Sequence, residues 1–190
     1  MNTLVDVRLL LIEDDLDFAR VVKMCLSRGP DAAFEIEVAH NLVQAKACFD
    51  ATACPCDGDS DTPLPRRFDV VVTDLCVPPH EGAETVRRVK EMAGPTPVVV
   101  LTSMVGHDVI AEIVAAGVDD FLGKEEIVGR AGIIRLERAL RHAIKNGRLR
   151  EEVARSKSYT LTLEAQVEML HDALRQKSGF VSEGACEGRR

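Results

Sequence analysis

The run Val7-Arg8-Leu9-Leu10-Leu11-Ile12-Glu13-Asp14-Asp15 decides the fold. Its first six residues are apolar apart from Arg8, and three carboxylates close it. A short continuous apolar run bounded in this way reads as a strand buried on both faces. The period then changes. Phe18, Val21, Val22, Cys25 and Leu26 recur at helical spacing between Leu16 and Leu26, and Gly29-Pro30 stops the helix.

The same alternation repeats outward. Phe34 to Ala39 reads as a strand and Leu42 to Phe49 as a helix. Phe68 to Thr73 and Val98 to Leu101 are apolar strands, Glu84 to Met92 and Asp108 to Ala116 amphipathic helices, and Val118 to Leu122 a fifth strand. From Gly132 onward the pattern is helical. Strands alternating with helices predict an α/β fold with a parallel sheet. Five such units fit the flavodoxin-like doubly wound sheet, order 2-1-3-4-5, with a long C-terminal helix added. In that class the chemistry gathers where strands end at their carboxyl edge.

Those ends carry a specific set. The first strand ends in Glu13-Asp14-Asp15, the third in Asp74, the fourth in Thr102-Ser103, and Lys124 follows the fifth. Crowded carboxylates raise one another's pKa unless a cation sits among them. A hard divalent ion, Mg2+ above all, relieves that repulsion through oxygen ligands. A carboxylate is also a nucleophile toward phosphorus. Phosphoryl transfer needs a metal, a cationic side chain and a hydroxyl donor around the moving group. By themselves Asp14 and Asp15 also suit N-caps of the following helix, Thr102 a strand residue, Phe121 a core residue and Lys124 a solvated lysine.

Five motifs in order resemble the receiver domain of bacterial two-component response regulators. They are Leu9-Leu10-Leu11-Ile12-Glu13-Asp14-Asp15, Val71-Val72-Thr73-Asp74-Leu75, Pro78 with Gly82, Val100-Leu101-Thr102-Ser103, and Asp119-Asp120-Phe121-Leu122-Gly123-Lys124. The resemblance implies that Asp74 accepts a phosphoryl group from a phosphohistidine on a sensor histidine kinase or phosphotransfer protein. It implies Mg2+ held by Glu13, Asp14, Asp74 and the backbone carbonyl of Cys76. Asp14 is the more direct ligand of the acidic pair, and Asp15 is less involved. Lys124 and Thr102 contact the phosphoryl oxygens, and Thr102 with Phe121 forms the conformational switch. Glu125 stands where the family usually carries proline after the lysine. The expected role is signalling, not enzymatic turnover beyond self-phosphorylation and its reversal. A hydrolase with an aspartate nucleophile is the alternative, but Cys76 stands where such enzymes place a second aspartate as general acid.

Composition narrows the field. The chain has 190 residues and a net charge of −7, with 46% hydrophobic residues, so it can bury a core. Aromatics are 4%, with Tyr159 the lone tyrosine and no tryptophan, which disfavours base-stacking proteins. The apolar run Leu9–Ile12 is too short for a signal peptide or a membrane span. The six cysteines (25, 48, 54, 56, 76, 186) form no regular framework, so a reducing cytoplasm is the expected location. Residues 51–66 are rich in Pro, Gly, Ser and Asp and read as a surface insertion. Asp57, Asp59 and Asp61 echo a calcium loop, but Thr62 replaces its glycine and Phe68 its glutamate.

The charge divides unevenly, −11 over residues 1–134 and +4 over 135–190. Residues 1–132 are expected to form the receiver domain, 133–178 an extended helix, and 179–190 a frayed tail. From Leu149 the 4-3 spacing Leu149, Val153, Ser156, Thr160, Leu163, Val167, Leu170, Leu174 is a coiled-coil seam. It predicts a parallel homodimer through residues 149–174, with a helix folded back on its own domain or docked on a different protein as the alternatives. Leu136, Leu140 and Ala143 lie in a different phase, and the change near Asn146-Gly147 suggests a stutter or local weakening. No output module is recognised after the receiver. The basic stretch Arg135–Lys157 is mixed with acids and reads as a solvated helix, although a nucleic-acid regulator acting through it is a further alternative.

Overall fold

The computed structural model describes residues 5–27, 32–51, 68–103 and 106–182. The chain divides into two compact units, Met1–Gly147 and Arg148–Arg190. In the first, β1 (Val5–Ile12), β2 (Ala32–Ala39), β3 (Val70–Thr73), β4 (Val98–Thr102) and β5 (Asp120–Gly123) form one sheet. Its order is β2-β1-β3-β4-β5 and every pairing is parallel. The expected flavodoxin-like topology is therefore the observed one. Helices α1 (Leu16–Leu26), α2 (Leu42–Asp50), α3 (Ala83–Ala93) and α4 (His107–Ala115) connect the strands, and α5 (Gly129–Ser182) follows β5 after a 3-10 turn at Lys124–Ile127.

Two apolar faces hold this sheet. Leu9, Leu11, Val70, Val72, Val99 and Leu101 pack on one side with Ala19 and Val22 of α1 and Leu136, Leu140 and Ala143 of α5. The alternate residues Leu10, Ile12, Val71 and Val98 pack on the other with Ala45 of α2 and Val89 and Ala93 of α3. Successive strand residues point to opposite faces, so a strand covered on both sides must be apolar throughout. That is why Leu9–Ile12 of β1, Val70–Val72 of β3 and Val98–Leu101 of β4 read as unbroken runs rather than as alternation. Each fully buried Leu or Ile contributes about 2 kcal/mol relative to exposure.

Two expected boundaries move. Helix α5 begins at Gly129, and its first turns bury Leu136, Ala139, Leu140, Ala143 and Ile144 in the core. The first compact unit, Met1–Gly147, therefore takes in these first turns of α5. The helix also passes Ser178-Gly179 and runs to Ser182. Glycine inside a helix costs only about 1 kcal/mol relative to alanine. It ends a helix mainly when it takes the left-handed backbone, which among the described residues is found at Gly82, Gly94, Gly117 and Gly129.

Helix α5 is continuous through Gly147. A Cβ there would lie 3.2 Å from Pro97 Cδ, so glycine permits a close approach of α5 to the start of β4. The insertion read at 51–66 lies outside the described residues apart from Ala51, as do its calcium-loop-like aspartates. Among the described residues no helix is long and apolar enough to cross a membrane.

Candidate functional site

Strand register brings the candidate residues together. Ile12 pairs with Thr73, so Glu13 and Asp74 leave neighbouring strands at the same height. The Asp74 N–H donates to the Ile12 carbonyl at 3.0 Å and the Glu13 N–H to the Ala39 carbonyl at 2.9 Å, which extends the ladder to both residues. Thr102 pairs with Gly123, so Lys124 emerges at the same edge, one strand beyond the buried Thr102.

Lys124 is the centre of the contacts. Its Nζ donates to Asp74 Oδ2 at 2.7 Å and to Glu13 Oε1 at 2.9 Å. The replacement of the usual proline by Glu125 therefore does not keep the lysine from the site. The 3-10 turn directs it inward, and Gly123 leaves space where a Cβ would collide with the Glu125 carboxylate. Asp74 Oδ1 accepts from the Leu75 N–H at 2.6 Å. Both oxygens of the Asp74 carboxylate are thus held by donors. Past it, the Gly82 N–H and Thr85 Oγ1 both donate to the Leu75 carbonyl, at 2.9 and 2.8 Å, pinning the loop that carries Cys76.

The charges are not balanced by Lys124 alone. Glu13, Asp14 and Asp74 each place a carboxylate oxygen within 4.8 Å of the others. Glu13 is fully buried, Asp74 nearly so, and Asp14 is exposed. Burial pushes the Glu13 carboxyl above its ordinary 4.5, with the Asp74 charge adding to the rise against the opposing bond and charge of Lys124. Burial also acts to lower the Lys124 ammonium, but hydrogen bonds and charges from Asp74 and Glu13 outweigh it and raise the pKa above 10.5. Lys124 is therefore charged at neutral pH. On the side of the lysine, the stability its pairs contribute is present below 10.5 and is lost as pH rises through the raised value; in acid the pairs weaken as Glu13 protonates.

The donor set fits a hard cation. Glu13 Oε2 is buried and sits 2.8 Å from Lys124 Nζ, yet it has no hydrogen-bond partner. One exposed and two buried carboxylates at the sheet edge offer the oxygen ligands such an ion takes. The raised Glu13 pKa gives a testable sign. Protonation removes a ligand charge, so Mg2+ affinity should weaken as pH falls, starting above the ordinary 4.5 of a glutamate. Calorimetric Mg2+ titrations from neutral to acid pH measure this, and an affinity constant down to 4.5 would contradict it.

Two neighbours of the site, Phe18 and His40, are not legible as site residues in the sequence; a third, Asp15, is legible as a cap. Asp15 is the N-cap of α1, its Oδ1 accepting from the N–H groups of Asp17 and Phe18 at 2.9 and 3.1 Å. The capping pattern of the sequence supports this role. That cap starts the turn that brings the Phe18 ring to Lys124, whose Nζ lies 4.4 Å from the ring centroid. His40 Nδ1 lies 3.0 Å from the Glu13 carbonyl and ties the end of β2 to the acidic loop. Neither Phe18 nor His40 carries a local motif, because each acts across two elements.

The two candidate switch residues occupy different surroundings. Thr102 is buried at the end of β4. Phe121, in β5, is half-buried and packs against the cluster of Leu75, Val86, Val100 and Ile113. It also borders a groove of about 740 Å³ lined by Arg135, Arg138, His142 and Lys145 of α5.

Residues 9–130 match the family of the response regulator receiver domain. The chain belongs to that family. Receiver relatives include the transcriptional regulatory protein TrcR of Mycobacterium tuberculosis, 32% identical over 155 residues, covering 75% of this chain and 52% of the relative. Response regulator MprA of Mycobacterium bovis is 31% identical over 131 residues, covering 65% of this chain and 48% of the relative. The chain thus spans about half the length of these relatives. Among solved structures, the receiver domain of an HD domain-containing protein from Pseudomonas fluorescens Pf-5 superposes with a TM-score of 0.58 at 19% identity, over 76% of this chain and 98% of that one. At this identity the likeness speaks for the fold of the receiver.

Proposed function

We propose that this receiver is a phosphoacceptor and that Asp74 takes the phosphoryl group from a phosphohistidine of a sensor kinase or phosphotransfer protein. The observation that carries the reading is the buried Asp74 carboxylate held by Lys124 Nζ at 2.7 Å beside Glu13 and Asp14. An Asp74 oxygen forms a bond to phosphorus as the phosphorus–nitrogen bond to the partner histidine breaks, and the departing imidazole is protonated from solvent. Mg2+ held by Glu13, Asp14, Asp74 and the Cys76 carbonyl would offset the negative charge of the incoming group. Lys124 supplies a second positive charge to the phosphoryl oxygens, and Thr102 a hydroxyl donor. The protein then works as a cytoplasmic signalling element rather than as a turnover enzyme. Labelling with acetyl phosphate and Mg2+ tests the acceptor.

Output follows from a population shift toward the state in which Thr102 and Phe121 move toward the site. Phe121 borders the basic α5 groove, so its movement alters that surface. Helix α5 continues into the seam. Val153, Thr160, Val167 and Leu174 occupy a positions and Leu149, Ser156, Leu163 and Leu170 d positions, and the layers with a β-branched a residue and a leucine d residue favour two-stranded parallel pairing. Leu149, Val153, Leu163, Val167 and Leu170 are all exposed, while Leu174 has its side chain outside the described residues. A second copy of the chain is the proposed cover. Leu163→Lys should weaken dimerisation at least about a hundredfold, since it removes two buried leucines and places two like charges in the seam. Sedimentation equilibrium reads the change, and an unaltered assembly state would contradict the seam.

A further inference from the structure

Lys124 has three contacts at the site: Asp74 at 2.7 Å, Glu13 at 2.8 Å and the face of Phe18 at 4.4 Å. On the phosphoacceptor reading, which this inference rests on, the first two are altered by the reaction. Asp74 becomes an acyl phosphate, and Glu13 turns toward the cation. The ring is neither ionised nor consumed. We propose that Phe18 is a positioning residue for Lys124, its ring face holding the ammonium at the acceptor as the carboxylates change partners.

Several features make the ring suited to this. The Lys124 side chain is only 15% exposed, and cation–π attraction strengthens when the cation is desolvated. The lysine stem is long and freely rotating, and the residue after it is the exposed Glu125 rather than a rigid proline. Order must come from elsewhere. Phe18 can supply it because its own place is fixed twice: its N–H is bonded to the Asp15 cap at 3.1 Å, and its side chain packs against the core cluster of β1, α1 and α5. A position fixed by a helix cap and a core is more rigid than one fixed by a loop.

The experiment uses the full chain in three forms: wild type, Phe18→Leu and Phe18→Tyr. Leucine keeps an apolar group and removes the π face, whereas tyrosine keeps it. Acetyl phosphate labelling in Mg2+ should slow about three- to thirtyfold in Phe18→Leu, the range set by a desolvated cation–π contact. Phe18→Tyr should label within about twofold of wild type. Mg2+ affinity should be the same in all three. Proton NMR of the Lys124 ε-methylene gives an independent signature, an upfield ring-current shift in wild type and Phe18→Tyr that is absent in Phe18→Leu. Equal labelling rates in wild type and Phe18→Leu overturn the proposal, as does Phe18→Tyr being as slow as Phe18→Leu, or a wild-type ε-methylene without the shift. If wild type itself does not label, the phosphoacceptor reading fails and the positioning role falls with it. If wild type labels and only the Phe18 series is flat, the acceptor stands and the positioning role alone is lost.

Discussion

Asp74→Asn should not be labelled by acetyl phosphate, whereas wild type becomes a phosphoprotein stable to acid and cleaved by base or hydroxylamine. The reason is chemical before it is structural. An amide offers no anionic oxygen to attack phosphorus, so the loss should be complete within detection. Structure explains why no neighbour substitutes. Glu13 has the right charge, but burial favours its protonated form, and its Oε1 is bonded to Lys124 at 2.9 Å. Asp14 is exposed and outside the hydrogen bonds that fix Asp74 between the Leu75 N–H and Lys124. Intact-mass measurement with and without hydroxylamine distinguishes an acyl phosphate from a phosphoester. Label retained at the wild-type level in Asp74→Asn would refute the assignment. Sustained hydrolysis of phosphomonoesters by wild type would instead favour the aspartate-nucleophile hydrolase.

The residues that could be read from the sequence are those whose position depends on one strand and its end. Glu13, Asp14, Asp74 and Lys124 each follow an apolar run, and a parallel sheet aligns such ends by register, as Ile12 with Thr73 and Thr102 with Gly123 demonstrate. What escaped depends on distances between elements. The approach of Lys124 to Phe18 joins the turn after β5 to the first turn of α1. Nothing local in either segment marks it. Gly147 illustrates the opposite error. Taken along the helix it signals weakness, but its missing side chain answers to Pro97, fifty residues earlier in sequence and 3.2 Å from where a Cβ would stand. The bounds of α5, Gly129–Ser182, differ from the expected 133–178 for a related cause. Periodicity reports which residues share a face, and in α5 the phase of the apolar face changes. Leu136, Leu140 and Ala143 face the sheet, while the residues from Leu149 onward follow a different seam.

The second large effect concerns stability. Lys124→Met should melt far below wild type without divalent cation and recover when Mg2+ is added. Methionine keeps much of the stem but leaves the buried Glu13 and Asp74 carboxylates with no ammonium between them. Removing one partner of a buried ion pair costs several kcal/mol. Asp14 is exposed and the site opens at the sheet edge, which argues for the low end, about 3 kcal/mol. For a unit of this size that corresponds to a melting temperature lower by about 10 °C. Part of the strain escapes through protonation. Glu13 is already raised by burial, and losing Lys124 removes the bond and charge that hold it down. The deficit should therefore grow as pH rises from acid to neutral and shrink as it falls. Mg2+ acts in the other direction. A cation at a hundred times its dissociation constant stabilises by about 2.7 kcal/mol. It should bind the variant more tightly than wild type, where the ammonium competes for the same carboxylates. Thermal melts of both proteins, with Mg2+ and with chelator, measure the difference of differences. A Mg2+ shift no larger in Lys124→Met than in wild type would mean that the lysine and the cation do not share these carboxylates, and the proposed metal site would have to lie elsewhere.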